Sequence, residues 1–147
     1  MAKDTDWAWA AGFFEGEGSF SIGRQGKKKP GQFGGWVQMS QKHPEPLLFL
    51  QEILEDYAPF HEVTTMCNGV RFGSFQLNIS SLNGTRFLKK VLPYMHHPEK
   101  IAKAKIYVRM FAEEGRQGVK LSEERVAVRE DAWKDWLELQ AEIRGDL

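Results

Sequence analysis

The spacing of apolar positions changes several times along the chain, and each change predicts an element. Residues 10–20 read AAGFFEGEGSF, a short apolar helix pattern that ends in two glutamates and two glycines. Asp4 or Thr5 can cap that helix, which runs to about Glu17, with Gly18 placed to stop it as a left-handed cap. From Gly18 to Gln25 the pattern alternates, with Phe20 and Ile22 on one face and Ser19, Ser21 and Gly23 on the other. Residues 26–31 read as a turn. Gln32 to Gln41 then resumes the alternation with Phe33, Val37 and Met39 inward, which predicts a β-hairpin. Pro44 or Glu45 opens a helix whose Leu47, Leu48, Leu50, Ile53 and Leu54 form an apolar stripe. A second hairpin covers about His61–Met66 and Val70–Ser80, turning at Asn68-Gly69, with Phe75, Leu77 and Ile79 inward. Helices over about Asn83–Met95 and Pro98–Glu113 follow. Gly115 and Gly118 break the chain, and a last helix spans about Val128–Ile143.

The predicted order is α-β-β-α-β-β-α with further helices at the C-terminus, an α+β fold within a single domain over residues 1–147. Four antiparallel strands with helices on one face leave the other face of the sheet open. That face is expected to carry Ser19, Ser21, Gly23, Gln25, Trp36, Gln38, Ser40, Ser74, Gln76 and Asn78. Serine, glutamine and asparagine both donate and accept hydrogen bonds, which suits base edges in a major groove better than plain solvation does.

Composition narrows the class. With 147 residues, 41% of them hydrophobic, and five tryptophans, the chain can bury one sizeable core. A single cysteine, Cys67, excludes an intramolecular disulfide. No apolar run approaches the roughly 20 residues that span a bilayer, and the start MAKDTDW resembles no targeting peptide. The expectation is an intracellular protein, in a prokaryotic cytoplasm or an encoding organelle, with no membrane partner and no small organic cofactor.

The net charge is zero, but it is unevenly spread. Residues 1–110 hold 14 Lys+Arg against 10 Asp+Glu, a net of +4, and residues 111–147 hold 6 against 10, a net of −4. The basic excess concentrates at Arg24, Lys27, Lys28 and Lys29. One basic face is enough to bind DNA, because affinity follows local phosphate neutralisation. A solvated hairpin tip has the same composition.

The first helix carries two oddities. A helix C-terminus is partially negative, so Glu15 and Glu17 in the last turn stand where the dipole disfavours them by roughly 0.3–1 kcal/mol. Acids so placed often serve a cation. In addition Ala8, Gly12 and Gly16 recur every four residues beside Trp9 and Phe13, although an interior glycine costs about 1 kcal/mol relative to alanine. Small residues at that spacing allow close helix approach. The partner helix is either another element of the same protomer or the same helix of a second copy.

The nonapeptide Ala10-Ala11-Gly12-Phe13-Phe14-Glu15-Gly16-Glu17-Gly18 resembles the signature motif of the LAGLIDADG homing endonucleases, with Glu in place of Asp at both acidic positions. It occurs once, so the chain resembles the homodimeric, single-motif branch, over about residues 5–110. The resemblance implies a saddle-like four-stranded sheet on double-stranded DNA and a dimer interface through Ala8, Gly12, Phe13 and Gly16. Glu17 and the Gly16 carbonyl are implied to hold Mg²⁺, with Mn²⁺ or Ca²⁺ able to substitute in binding, and Glu15 to tune the site or face solvent. Gln41, within the segment Gln38-Met39-Ser40-Gln41-Lys42, matches a position that orients the attacking water. A basic residue completes the family's site. Pro98 falls near where the family's lysine is expected, which makes Lys100 the first candidate and Lys42 the second.

DNA contacts are expected from Lys27, Lys28, Lys29, Lys42 and Arg71 and from the open sheet face already named. The implied activity is metal-dependent double-strand cleavage of a long pseudo-palindromic site. The alternatives are an RNA-binding intron maturase and a non-catalytic DNA-binding relative of the same fold. His96 and His97 read as helix-end or phosphate-contact residues, and Trp133, Trp136 and Leu137 as core contacts of the last helix.

Overall fold

The computed structural model describes residues 2–25, 29–54, 60–67, 70–112 and 121–145, with 60–67 and 70–72 described by their backbone alone. The elements follow in the order α1 (Asp4–Glu17), β1 (Gly18–Arg24), β2 (Phe33–Gln41), α2 (Glu45–Ile53), β3 (Phe60–Cys67), β4 (Val70–Ser80), α3 (Ser81–Val91), a 3-10 turn at Leu92–Tyr94, α4 (Pro98–Met110) and α5 (Glu123–Arg144). The strands form one antiparallel sheet in the order β1-β2-β4-β3. Lys27, Lys28 and the Asn68-Gly69 turn lie outside the described residues, as does the side chain of Arg71.

Alternation along the strands sorts the sheet into two faces. Val37 and Met39 of β2 and Leu77 and Ile79 of β4 are fully buried under the helices, together with Ala10, Ala11 and Phe14 of α1 and Phe87, Leu88 and Val91 of α3. Tyr107 of α4 and Trp136 of α5 close the same core. Phe14 sits at its aromatic centre, edge-on to Phe20 at 5.2 Å and to Phe87 at 5.8 Å between ring centroids. Phe20 in turn meets Tyr107 at 6.0 Å and Trp136 at 6.3 Å. Edge-to-face pairs of this kind add about 0.5–1.5 kcal/mol each beyond burial. The end of α1 is therefore mounted on a cluster of packed aromatic rings.

Several local expectations are corrected. α1 starts at Asp4, and its first turn is closed by Asp6, whose carboxylate accepts the Lys3 N–H at 2.9 Å; neither Asp4 nor Thr5 is the cap. Gly18 does not close the helix in a left-handed conformation. Its φ of −92° and ψ of 158° are extended, because α1 runs straight into β1. Glycine is required there for space: a Cβ would collide with the Phe14 ring and lie 2.6 Å from the Phe14 carbonyl oxygen.

The helices after the sheet also shift their bounds. α3 begins at Ser81, directly after β4, and gives way at Val91 to the 3-10 turn, where Pro93 cannot continue an α-helix. α4 ends at Met110 rather than Glu113. α5 starts at Glu123, five residues before Val128, because Ser122 Oγ accepts the Arg125 N–H at 3.1 Å and caps it. Leu48 and Leu137, expected in apolar stripes, are both about half exposed, whereas Trp136 is buried as expected and Trp133 packs on Phe33 at 5.3 Å.

A Gly18→Ala substitution forces Cβ into Phe14 and into backbone, so we expect a loss of about 3 kcal/mol in a urea titration, the upper range for overpacking. Gly23→Ala, where nothing lies within 4 Å of the new atom, is the control and should change stability little.

Candidate active site and nucleic-acid interface

The two acids at the end of α1 have different surroundings. The Glu15 carboxylate reaches the start of α4, where one oxygen, Oε2, accepts the backbone N–H of His96 at 2.8 Å and also that of His97. Half-exposed, Glu15 thus ties the end of α1 to the α4 N-terminus. Glu17 is exposed and has no hydrogen-bond partner among the described residues. Charge type in the sequence could not separate them. Pro98 was the available clue, since it places a helix N-terminus, with its free N–H groups, near residue 97.

Lys100 occupies the complementary position. Its Nζ donates to the Glu15 carbonyl oxygen at 2.6 Å and approaches the Phe14 carbonyl at 3.4 Å, 5.8 Å from the Phe14 ring centroid. The ammonium therefore sits on the last-turn carbonyls of α1, where the helix dipole is negative. Burial lowers its pKa below the ordinary lysine value; Glu15 opposes that shift, Lys103 adds to it, and Glu17 again opposes it. Lys42 is exposed just past β2, with no partner among the described residues. Of the two lysine candidates, the structure brings only Lys100 to the acids.

His97 caps α4: its Nδ1 accepts the Lys100 N–H at 3.4 Å. Both imidazoles are exposed. Among the described residues no three His, Cys, Asp or Glu side chains gather as a metal site within the chain. The hard oxygen donors that one chain offers at this corner are the Glu17 carboxylate and the Gly16 carbonyl. Both are open to solvent and fit a cation that takes oxygen ligands and keeps several waters.

Gln41 reaches the same corner through strand register. Gly18 pairs with Met39 across β1 and β2, so Gln41 stands two residues past that pair, beside the helix–strand junction that carries Glu17. Gln41 also pairs with Phe75 of β4.

The open sheet face assembles in rows. Ser19, Gln38 and Asn78 are aligned across β1, β2 and β4, as are Ser21, Trp36 and Ser80, while Ser40 faces Gln76. Gly23 pairs with Gly34, and Ser74 lies one step beyond the Gln76 row. No Asp or Glu occurs in β1, β2 or β4. Asn78 Oδ1 is shielded and without a partner among the described residues, an acceptor left over in the central row. Lys29 is exposed beside the hairpin turn.

Arg24 does not join that basic tip. It forms an ion pair with Glu130 of α5 at 2.7 Å and lies over the Phe33 and Trp133 rings at 4.9 and 5.9 Å from their centroids. Its charge serves the packing of α5 on the hairpin, and its phase with Phe33, on the helix-covered face, was the signal for this.

The small-residue stripe faces outward. Ala8, Gly12 and Gly16 are exposed, and among the described residues nothing outside the adjoining turns of α1 lies within 4 Å of a Cβ built on either glycine. No helix of the same described protomer packs there. Phe13 is half-buried and stacks on Trp9 at 5.2 Å, and Trp9, 40% exposed, meets Phe49 at 4.9 Å.

Comparisons with known proteins place this architecture. No family model and no curated protein matches the chain. Among solved structures it is similar to the homing endonuclease I-CvuI in complex with its target in the presence of Ca (20% identity, TM-score 0.50, covering 89% of this chain and 94% of that one). It is likewise similar to the archaeal intron-encoded homing endonuclease I-Vdi141I complexed with DNA (16% identity, TM-score 0.51, 89% and 98% covered). A third likeness is to the LAGLIDADG homing endonuclease I-GzeII in complex with a DNA target, with 17% identity and a TM-score of 0.60, covering 92% of this chain and 43% of that one. The chain has the LAGLIDADG homing endonuclease fold.

Two glutamates two residues apart, on nearly opposite sides of α1, should respond oppositely to removal. We expect Glu15→Ala to lose about 1–2 kcal/mol in chemical denaturation, the usual worth of charge-assisted bonds at a half-exposed position. Glu17→Ala should leave stability unchanged or raise it, since an acid leaves the negative end of α1.

Proposed function

We propose that the protein is a site-specific DNA endonuclease of homing type, which cuts both strands of a long pseudo-palindromic duplex as a homodimer and requires a divalent metal. One observation carries the reading. The Lys100 ammonium lies on the Glu15 carbonyl next to the exposed Gly16 and Glu17, and Gln41 stands two residues past the Gly18–Met39 pair, at the end of a sheet whose strands β1, β2 and β4 contain no acid. The likeness to endonucleases whose structures hold DNA, one of them with Mg and with Ca, supports it.

The second copy completes the site. Packing the stripe of Ala8, Gly12 and Gly16 against itself, flanked by Phe13, brings the two Glu17 carboxylates together near a two-fold axis. Two carboxylates at close range repel; Glu17 and the Gly16 carbonyl would hold Mg²⁺, which would relieve that repulsion and supply charge neutralisation at the scissile phosphate and a more acidic water. Gln41 orients the attacking water through its carboxamide. Lys100, already positioned by the carbonyls of α1, contributes positive potential where the phosphate gathers charge. The sheets of the two protomers form the saddle on the duplex, with Lys29 toward the phosphates at its outer end.

Selection from randomised duplexes identifies a substrate for the test. On it, Glu17→Gln is expected to cut at least about 10³-fold more slowly while binding is retained, and Lys100→Met about 10²-fold more slowly, the scale on which preorganised charge acts. Chelation of divalent ions should abolish cutting and Mg²⁺ should restore it. Cutting that survives Glu17→Gln overturns the metal assignment.

Gly12→Ala separates dimer from fold. Alanine should strengthen α1 by about 1 kcal/mol, because none of the described residues opposes the added atom. In sedimentation the same variant should dissociate at least tenfold more readily. A fully active monomer would sink the dimer.

A further inference from the structure

Trp36 is out of character with its surroundings. It stands in the middle of β2 on the open face, 37% exposed, between Ser21 and Ser80 across the sheet and between Gly34 and Gln38 along the strand. All but Gln38 of these are small, so the indole rises above its floor. Among the described residues the ring has no aromatic or cationic partner. A merely solvated position gains nothing from so large an apolar surface.

Gly34 explains how the ring is used. A Cβ there would lie 3.0 Å from Gln25 Cδ and 3.4 Å from Trp36 Cη2, with Gln25 Nε2 nearer still. The Gln25 carboxamide thus lies over the bare Gly34 backbone, beside the six-membered ring of the indole. Its strand position is secured by the Gln25 N–H donating to the Gln32 carbonyl at 2.8 Å. A two-sided hydrogen-bonding group and an apolar edge converge on one spot that a single missing methyl keeps open.

In the major groove an A·T pair presents this combination: adenine N7 and N6–H₂ for a carboxamide, and beside them the thymine C5-methyl for an apolar surface. A G·C pair has no methyl and offers two guanine acceptors that one carboxamide does not match. We propose that Gln25, Gly34 and Trp36 form a reader of A·T base pairs in each half-site, the indole lying against the thymine methyl and the carboxamide on adenine N6 and N7. This rests on the open face being the duplex-binding face. With a rise of about 3.4 Å per strand residue, Trp36 and Gly34 lie about 10–17 Å along β2 from Met39, the partner of Gly18, so the position read is several base pairs out from the scissile phosphate.

The test uses the full chain and a duplex library with a randomised tract of about 30 base pairs, selected for binding in Ca²⁺. The enriched duplex is remade with deoxyuridine in place of each thymidine in turn, which deletes one methyl and nothing else. Wild type is expected to lose about four-fold in affinity, the value of one buried methyl, at an outer thymine in each half-site. Trp36→Ser should bind the thymine and uracil duplexes there equally. Gly34→Ala, which displaces the Gln25 carboxamide, should lose the adenine preference at that pair and keep the profile elsewhere. Enrichment followed by an unchanged methyl profile in Trp36→Ser, or by equal weakening on every duplex, overturns the reader and leaves the duplex-binding reading standing. No binding to any duplex by folded wild type overturns both.

Discussion

Two charged side chains cross between two helices, and the candidate site is built on that crossing. Glu15 sits at the negative end of α1, where a carboxylate is disfavoured, yet its oxygen lies on the N–H groups of His96 and His97 at the positive end of α4. Lys100 sits in the first turn of α4, where a cation is disfavoured, yet its ammonium lies on the Glu15 carbonyl at the negative end of α1. Each charge is misplaced on its own helix and well placed on the other. The exchange joins two helix ends that the chain separates by some eighty residues.

What that exchange leaves over is as important as what it binds. With Glu15 Oε2 engaged and the Glu15 carbonyl taken by Lys100, the Gly16 backbone and Glu17 are left exposed at the corner. Phe14, wedged between Phe20 and Phe87, anchors that last turn in the core. Gly18 is extended rather than left-handed, so the chain enters β1 without a loop, and Gln41 arrives beside Glu17 through register alone. A short helix–strand junction costs little entropy to hold and so positions its side chains more tightly than a loop does.

The sheet divides the remaining charge. Acids are absent from β1, β2 and β4 and abundant on α5, which packs on the helix-covered side through Trp136, Trp133 and the Arg24–Glu130 pair. In a chain of zero net charge, strands β1, β2 and β4 thereby bring no negative side chain to the open face. That is a condition for approaching a polyanion without paying electrostatic repulsion.

Much of this was legible in the residues themselves. The period-two strands, the hairpin phases and the composition of the open face follow from alternation, because a pleated strand has only two sides. The motif at residues 10–18 and its likeness to a known family were equally plain. What alternation cannot encode is contact between distant segments. The sequence pattern alone left Glu15 and Glu17 without separate partners, Lys100 and Lys42 both as candidates, Arg24 in the basic tip and the small-residue stripe open to either kind of helix. Only the tertiary structure assigned Glu15 to the α4 N-terminus, Lys100 to the α1 carbonyls, Arg24 to Glu130 and the stripe to solvent. The reason is physical: periodicity fixes which side of an element a residue faces, whereas the charge partner it meets depends on which helix end folding brings within 3 Å.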